Sequence, residues 1–371
     1  MRAISCKLCL LIACLSLIAE VGVFGAQADP QKAAASADGK IVWYDCKTLL
    51  VEGKGWAETK SFYDRLPAKA EGKVPASVWN LSHHSAGLCV RFASDAQSIQ
   101  VRWELSAKDS LGMPHMPATG VSGVDLYRRE KSGKWCFVGN GRPSGASNRA
   151  SFTVPAGQQQ FLLYLPLYNG VTSVAIGIPK ESALSVPDAA AGTQRKPIVF
   201  YGTSITQGGC ASRPGMAFTA IVGRRLILPV INLGFSGSGK MEGEMAELLA
   251  ELDPSAYVLD CLWNMSEEQV STRIEPFVKV LRAARQETPI WLAEDCSVRN
   301  ISPTGKGKIL RTIHRKLVGD GVKNVYLLSN EDMLGDDTEG TVDGCHPNDL
   351  GMMRQAEAFL RALSPVLAKE R

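Results

Sequence analysis

The chain has 371 residues, 45% of them hydrophobic and 21% charged, with a formal net charge of +4. This length exceeds one typical hydrophobic core and predicts two domains, and the composition excludes a disordered or fibrous chain. The charge is mild and no Lys/Arg-rich run stands out, which argues against nucleic acid or an anionic membrane as partner.

The first residues read as a leader. Arg2 and Lys7 accompany an apolar run over 8–18, and Ala26-Gln27-Ala28 supplies the small residues of a signal-peptidase site. Residues 1–28 are therefore assigned to a secretory signal and the mature chain to the periplasm or the exterior. Leu11-Ile12-Ala13-Cys14 mimics a lipoprotein box, but the apolar run ahead of Cys14 is short and continues past it, which disfavours anchoring there. No other apolar run reaches the roughly 18 residues that cross a bilayer, so no integral membrane segment is expected in the mature chain. Residues 29–40 read as a disordered lead-in.

Cys6, Cys9 and Cys14 leave with the signal. Cys46, Cys89, Cys136, Cys210, Cys261, Cys296 and Cys345 remain, an odd set without a C-x-x-C, so at least one thiol stays unpaired in a monomer. The histidines lack metal-ligand spacing; neither a metal nor a cofactor is expected.

From 41 to 180 the pattern is that of short strands, at 88–92, 99–105, 123–127, 135–138, 150–154, 161–165 and 171–176. In 99–105, Val101, Trp103 and Leu105 alternate with Arg102 and Glu104. Turn residues separate the runs, the rhythm of an antiparallel β-sandwich. The loop Met113-Pro114-His115-Met116-Pro117 cannot belong to a central strand. His115 and Met116 in it have two readings, ordinary loop packing and a surface reaching over a binding crevice. Residues 181–197 read as a linker.

The rhythm then changes over 198–371. Strands at 198–201, 230–233, 256–262, 290–293 and 325–328 alternate with helices at 216–226, 241–252, 267–285, 306–318 and 350–367. Strict alternation predicts an α/β domain, a three-layer flavodoxin-like fold whose parallel sheet carries its site at the carboxyl ends of the strands. At those ends lie Gly202-Thr203-Ser204, then Gly234-Phe235-Ser236-Gly237, then Trp263-Asn264-Met265, and finally Asp343-Gly344-Cys345-His346.

Serine needs a base to become a nucleophile, and His346 is the histidine at such a strand end. Asp343, three residues earlier, can hold its Nδ1. The N–H groups of Ser204 and Gly234, with the Asn264 amide, could receive an oxyanion. Each has a plainer reading: Ser204 as a helix cap, His346 and Asp343 as turn residues, Asn264 as a local cap. Arg213 reads either as a solvated surface residue or as a ligand for a substrate oxygen. His83 and His84 read as surface or strand-edge residues.

In these four blocks the chain resembles the SGNH (GDSL-type) hydrolase superfamily, over 198–371. Ser122-Gly123-Val124-Asp125-Leu126-Tyr127 carries the Gly-x-Asp-Leu-Tyr signature of the β-sandwich that precedes one branch of it. The resemblance implies an exported serine esterase acting through Ser204, His346 and Asp343, often on acylated carbohydrates. Two departures stand out: Gly-Thr-Ser replaces Gly-Asp-Ser, and the third block ends Trp-Asn-Met rather than Gly-x-Asn-Asp. The substrate is thus expected to be a small-molecule or carbohydrate ester. An acyltransferase using the same acyl-enzyme and a non-catalytic carbohydrate-binding protein are the alternatives.

Overall fold

The computed structural model describes residues 34–187, 195–299 and 301–368. The signal assigned to 1–28 lies outside the described residues. The first half contains β1 (Ala34–Ala35), β2 (Ile41–Asp45), β3 (Leu50–Glu52), α1 (Ala76–Ser82), β4 (Cys89–Ser94), β5 (Ser98–Leu105) and the short turn α2 (Ala118–Val121). It continues through β6 (Val124–Arg129), β7 (Trp135–Gly141), β8 (Ser147–Thr153), β9 (Gln159–Tyr164), β10 (Val171–Pro179) and β11 (Leu184–Ser185). Two antiparallel sheets result, one ordered β1-β2-β10-β5-β8 and the other β11-β4-β9-β6-β7 with β3 also on β4. Alternation seals them together: Ile99, Val101, Trp103 and Leu105 of β5 meet Val90, Phe92, Leu126, Phe161 and Leu163 of the opposite sheet in one core.

Two expectations for the flanks need correction. Of the lead-in 29–40, the described part is ordered: β1 pairs with β2, and Ser36 N–H donates to Ile41 O at 2.7 Å around a turn closed at Gly39, φ +66°. Asp38-Gly39 is a turn signal the composition concealed. Of the linker 181–197, Leu184 and Ser185 form β11 on the edge of the second sheet. Residues 41–87, where no individual strand or helix is legible from the pattern, hold β2, β3 and α1.

The second half contains β12 (Ile198–Gly202), α3 (Ser204–Gln207), α4 (Phe218–Leu226), β13 (Val230–Gly234), α5 (Gly243–Glu251), β14 (Ala256–Asp260) and α6 (Glu267–Ala284). It closes with β15 (Ile290–Ala293), α7 (Gly305–Gly319), β16 (Val325–Leu328) and α8 (Asp349–Leu367). Its sheet is parallel throughout, ordered β13-β12-β14-β15-β16. The strands are unbroken apolar runs because both faces are covered. Phe200 and Val258 face α4 and α8, whereas Tyr201 and Leu259 face α5, α6 and α7. The order reverses at β12, so the crevice opens where β12 ends.

The two halves share their cores. Leu66, Val74, Val78 and Trp79, from α1 and the segment before it, join the cluster on the Tyr201 side. Leu162, Tyr164, Tyr127 and Trp135 of the second sandwich sheet join the cluster on the Phe200 side. That sandwich sheet is therefore buried on both faces, its inner one against its partner sheet and its outer one against the α/β half.

Candidate active site

The turn after β12 is shaped by close approach. A Cβ on Gly202 would stand 2.1 Å from Thr206 Oγ1 and 2.5 Å from Asp260 O, so only glycine fits. Thr203 caps the turn, its hydroxyl accepting from Ile205 N at 3.3 Å, and the turn ends at Gly208 with φ +106°. Ser204 follows the cap directly, so its own N–H has no acceptor within the turn. Its carbonyl accepts from Gly209 N at 2.7 Å, from Gly208 N at 3.1 Å and from the Tyr168 hydroxyl at 3.1 Å. Tyr168 lies beyond β9, so the sandwich half helps to fix the serine.

The loop before α8 brings the histidine to it. Ser204 Oγ lies 2.9 Å from His346 Nε2, and His346 Nδ1 lies 2.8 Å from Asp343 Oδ2. A carboxylate only accepts, so the Nδ1 hydrogen points at Asp343 and the Nε2 lone pair faces the serine hydroxyl. Asp343 Oδ1 also accepts from His346 N at 2.7 Å and Cys345 N at 3.0 Å. Partial burial pushes the Asp343 carboxyl up, but these donors outweigh it and hold the group at about 2. Asp343 is thus a carboxylate near neutrality. Cys345 is pushed by burial up to about 11 and Cys210 up to about 12, so neither thiol is a thiolate near neutrality.

The remaining candidates divide. His115 is exposed with its ring 5.9 Å from that of His346, so the sandwich loop does reach the serine's surroundings. Met116 does not: it is buried in the core, and its bridge to Met113 fixes the loop instead. Arg213 is mostly buried rather than solvated, and its Nη1 is committed within the protein. Its Nη1 donates to Asp125 Oδ2 at 2.9 Å and to the Tyr127 hydroxyl at 2.7 Å, joining the halves. The Gly234 N–H is taken by Asn232 Oδ1 at 2.9 Å, so it cannot receive an oxyanion; this glycine is needed because any Cβ would strike Gln207 N at 2.1 Å. Farther round the same loop, Gly237 has φ +66°, open space at its Cα and no hydrogen bond from its N–H among the described residues. Asn264 donates one Nδ2 hydrogen to Ser238 O, beside Gly237, and keeps the other.

Residues 195–364 match the model of the GDSL-like lipase/acylhydrolase family, and residues 41–184 match that of the N-terminus of SGNH-hydrolase-type esterases. A GDSL-like lipase from Bacteroides ovatus is 34% identical, aligned over 88% of this chain and 98% of its own, with a TM-score of 0.81. The chain belongs to the GDSL-like hydrolase family. Its class is therefore that of serine ester hydrolases. The fold extends to a salicylyl-acyltransferase from a tetracycline biosynthetic pathway, 16% identical over 90% of this chain and 97% of its own, TM-score 0.69. It extends also to a family two carbohydrate esterase from Clostridium thermocellum, 13% identical over 76% and 93%, TM-score 0.54. No curated protein matches the sequence.

In this GDSL-like hydrolase the ground beneath the serine is a buried polar network that sequence reasoning missed. His84, expected at the surface or a strand edge, accepts at Nδ1 from Gln207 Nε2 at 3.1 Å; burial first, then Arg65 and His83, lower it to about 4 and keep it neutral. Gln207 Oε1 accepts from Ser236 N at 3.0 Å, tying the serine turn to the loop of Gly237. Arg65 is fully buried and donates to the carbonyls of Leu81, His84, Asn232 and Gly234; burial lowers its guanidinium to about 9. The one signal for these residues was a cluster of polar side chains in a segment with no assigned strand.

Proposed function

We propose that this hydrolase is an exported esterase that releases a small acyl group, acetate foremost, from a carbohydrate ester through an acyl-enzyme on Ser204. Ser204 Oγ attacks the ester carbonyl while His346 Nε2 takes its proton and passes it to the leaving alcohol. Asp343 holds the imidazole in its tautomer and stabilises its charged form. Water activated by the same base then frees the acid. The N–H groups of Ser204 and Gly237 and the second Nδ2 hydrogen of Asn264 are the donors assigned to the tetrahedral oxyanion.

The observation that carries this reading is the unbroken hydrogen-bonded chain from hydroxyl to imidazole to carboxylate, at 2.9 and 2.8 Å. Export rests on the apolar leader, and the carbohydrate ester on the branch resemblance. The test is hydrolysis of para-nitrophenyl esters of increasing acyl length beside acetylated oligosaccharides, for the wild type and Ser204→Ala. The variant should keep its circular dichroism and lose turnover by a factor on the order of 10⁴ or more. Turnover within tenfold of wild type would refute the nucleophile. Acyl transfer to an added alcohol, measured in the same reactions, separates a transferase from a hydrolase.

A further inference from the structure

Beside Arg213 the seam between the halves opens into a cleft of about 470 Å³. Tyr127 and Phe137 line it from the sandwich sheet, Lys134 from the turn between β6 and β7, and Arg213, Arg224 and Arg225 from the α/β half; no Asp or Glu lines it. Two of the cations are neutralised from outside the cleft, Arg213 by Asp125 at 2.9 Å and Arg225 by Glu357 at 3.2 Å. The other two are not. Among the described residues, neither Lys134 nor Arg224 has a carboxylate within 4.0 Å. Arg224 is held by other means: Nη2 donates to Gly215 O at 2.7 Å and its guanidinium lies 4.1 Å from the centre of the Tyr127 ring.

Phe137 is 44% exposed in the middle of β7. Its ring does not swing freely, because the Arg213 guanidinium stands 3.8 Å from its centre and Tyr127 meets it edge-on at 5.6 Å. A rigid exposed ring is a surface for the C–H face of a pyranose, and guanidinium and ammonium groups around it recognise carboxylate or sulfate. Arg213 follows the turn of Ser204, and Met353, which lines the cleft too, stands in the helix that follows His346.

We propose that this cleft binds an anionic glycan segment, carboxylated or sulfated, so that the ester substrate is carried on an acidic saccharide. The substrate part of the proposal rests on the esterase reading above; the glycan binding does not. The test is calorimetric titration of the full chain with an oligogalacturonate, a sulfated oligosaccharide and a neutral xylo-oligosaccharide of equal length. It is repeated on the double variant Lys134→Glu, Phe137→Ala, both positions lying outside the catalytic machinery. At least one anionic ligand should bind about tenfold or more tighter than the neutral one, and the double variant should lose about tenfold of that affinity. Whichever anion binds names the charge.

Equal binding of neutral and anionic ligands, binding of none, or anionic binding unchanged in the double variant overturns the proposal. Turnover of para-nitrophenyl acetate, measured alongside, should be unchanged in the double variant. A wild type without that turnover sinks the esterase reading alone, and a wild type with it but without anion preference sinks the cleft alone.

Discussion

Gly209 shows how little room the chemistry has. A Cβ there would stand 2.8 Å from the Tyr168 hydroxyl, 2.9 Å from Ser204 O and 3.3 Å from His346 Cδ2. Gly209→Ala should therefore leave the fold intact while moving the imidazole off the serine. Misplacement of that kind costs about 10²-fold in kcat, and para-nitrophenyl acetate kinetics with unchanged circular dichroism would show it. Unchanged kcat would mean that the neighbours yield freely. Asp343→Asn tests the same geometry from the other side. The amide can donate toward Nδ1, favouring the wrong tautomer, and kcat should fall by about 10³–10⁴. Ser204, His346 and Asp343 were legible in the sequence because each follows a strand or turn with its own local signature. Gly237 was not. Which glycine N–H is free depends on where the Asn232 amide points, and Gly234 and Gly237 look alike in one dimension. Arg65 was hidden for a similar reason, since its four acceptors become neighbours only after folding.

At the scale of the element, β6 explains why its sequence is Val-Asp-Leu-Tyr. Period two sends Val124 and Leu126 into the sandwich core and Asp125 and Tyr127 outward against the α/β half. Asp125 is fully buried. Burial raises its carboxyl, and against that it accepts from Arg213 Nη1 at 2.9 Å, Gly215 N at 2.8 Å and Asn140 Nδ2 at 2.8 Å. Asp125→Ala leaves a half-buried guanidinium and a backbone N–H without their acceptor. It should cost about 3–5 kcal/mol by urea denaturation, the range for breaking a buried ion pair from one side. A loss below about 1 kcal/mol would show that water replaces the carboxylate. The strands themselves were readable from alternation and turn residues. The outward partner of the sandwich sheet was not, although Phe161-Leu162-Leu163-Tyr164 in β9 is apolar at every position, the pattern of a strand buried on both faces.

Two carboxyls, Asp260 and Asp343, are shifted in opposite directions and so give stability opposite dependences on pH. Asp260, fully buried at the end of β14, is raised to about 6, first by burial and then by Asp295, with the Thr206 hydroxyl at 2.9 Å opposing. A group raised on folding contributes stability that is present below its ordinary value of 3.8 and lost as the pH rises through about 6. Asp343 is lowered to about 2, so its contribution is present above 3.8 and lost as the pH falls toward 2. Asp260→Asn cannot ionise and keeps an acceptor for Thr206. Its melting temperature relative to wild type should rise between about pH 4 and about pH 6 and then level off, and a difference independent of pH would remove Asp260 as the cause.

Sharing of the cores leads to a further consequence for the whole molecule. Length and the linker-like composition of 181–197 predict two domains, and local pattern could say nothing of the faces they turn toward each other. In the structure, each face of the parallel sheet is completed by residues from the first half, Leu66 and Trp79 on one side and Leu162 and Tyr164 on the other. Burying an aromatic or leucine side chain contributes about 1.5–3 kcal/mol, so losing several at once exceeds the margin of an ordinary domain. Neither half should then be stable without the other. Scanning calorimetry of the full chain should give one transition, with calorimetric and van't Hoff enthalpies in agreement, and ester turnover should vanish across that same transition. Two resolved transitions, with turnover surviving the first, would mean that the sandwich is a detachable appendage after all.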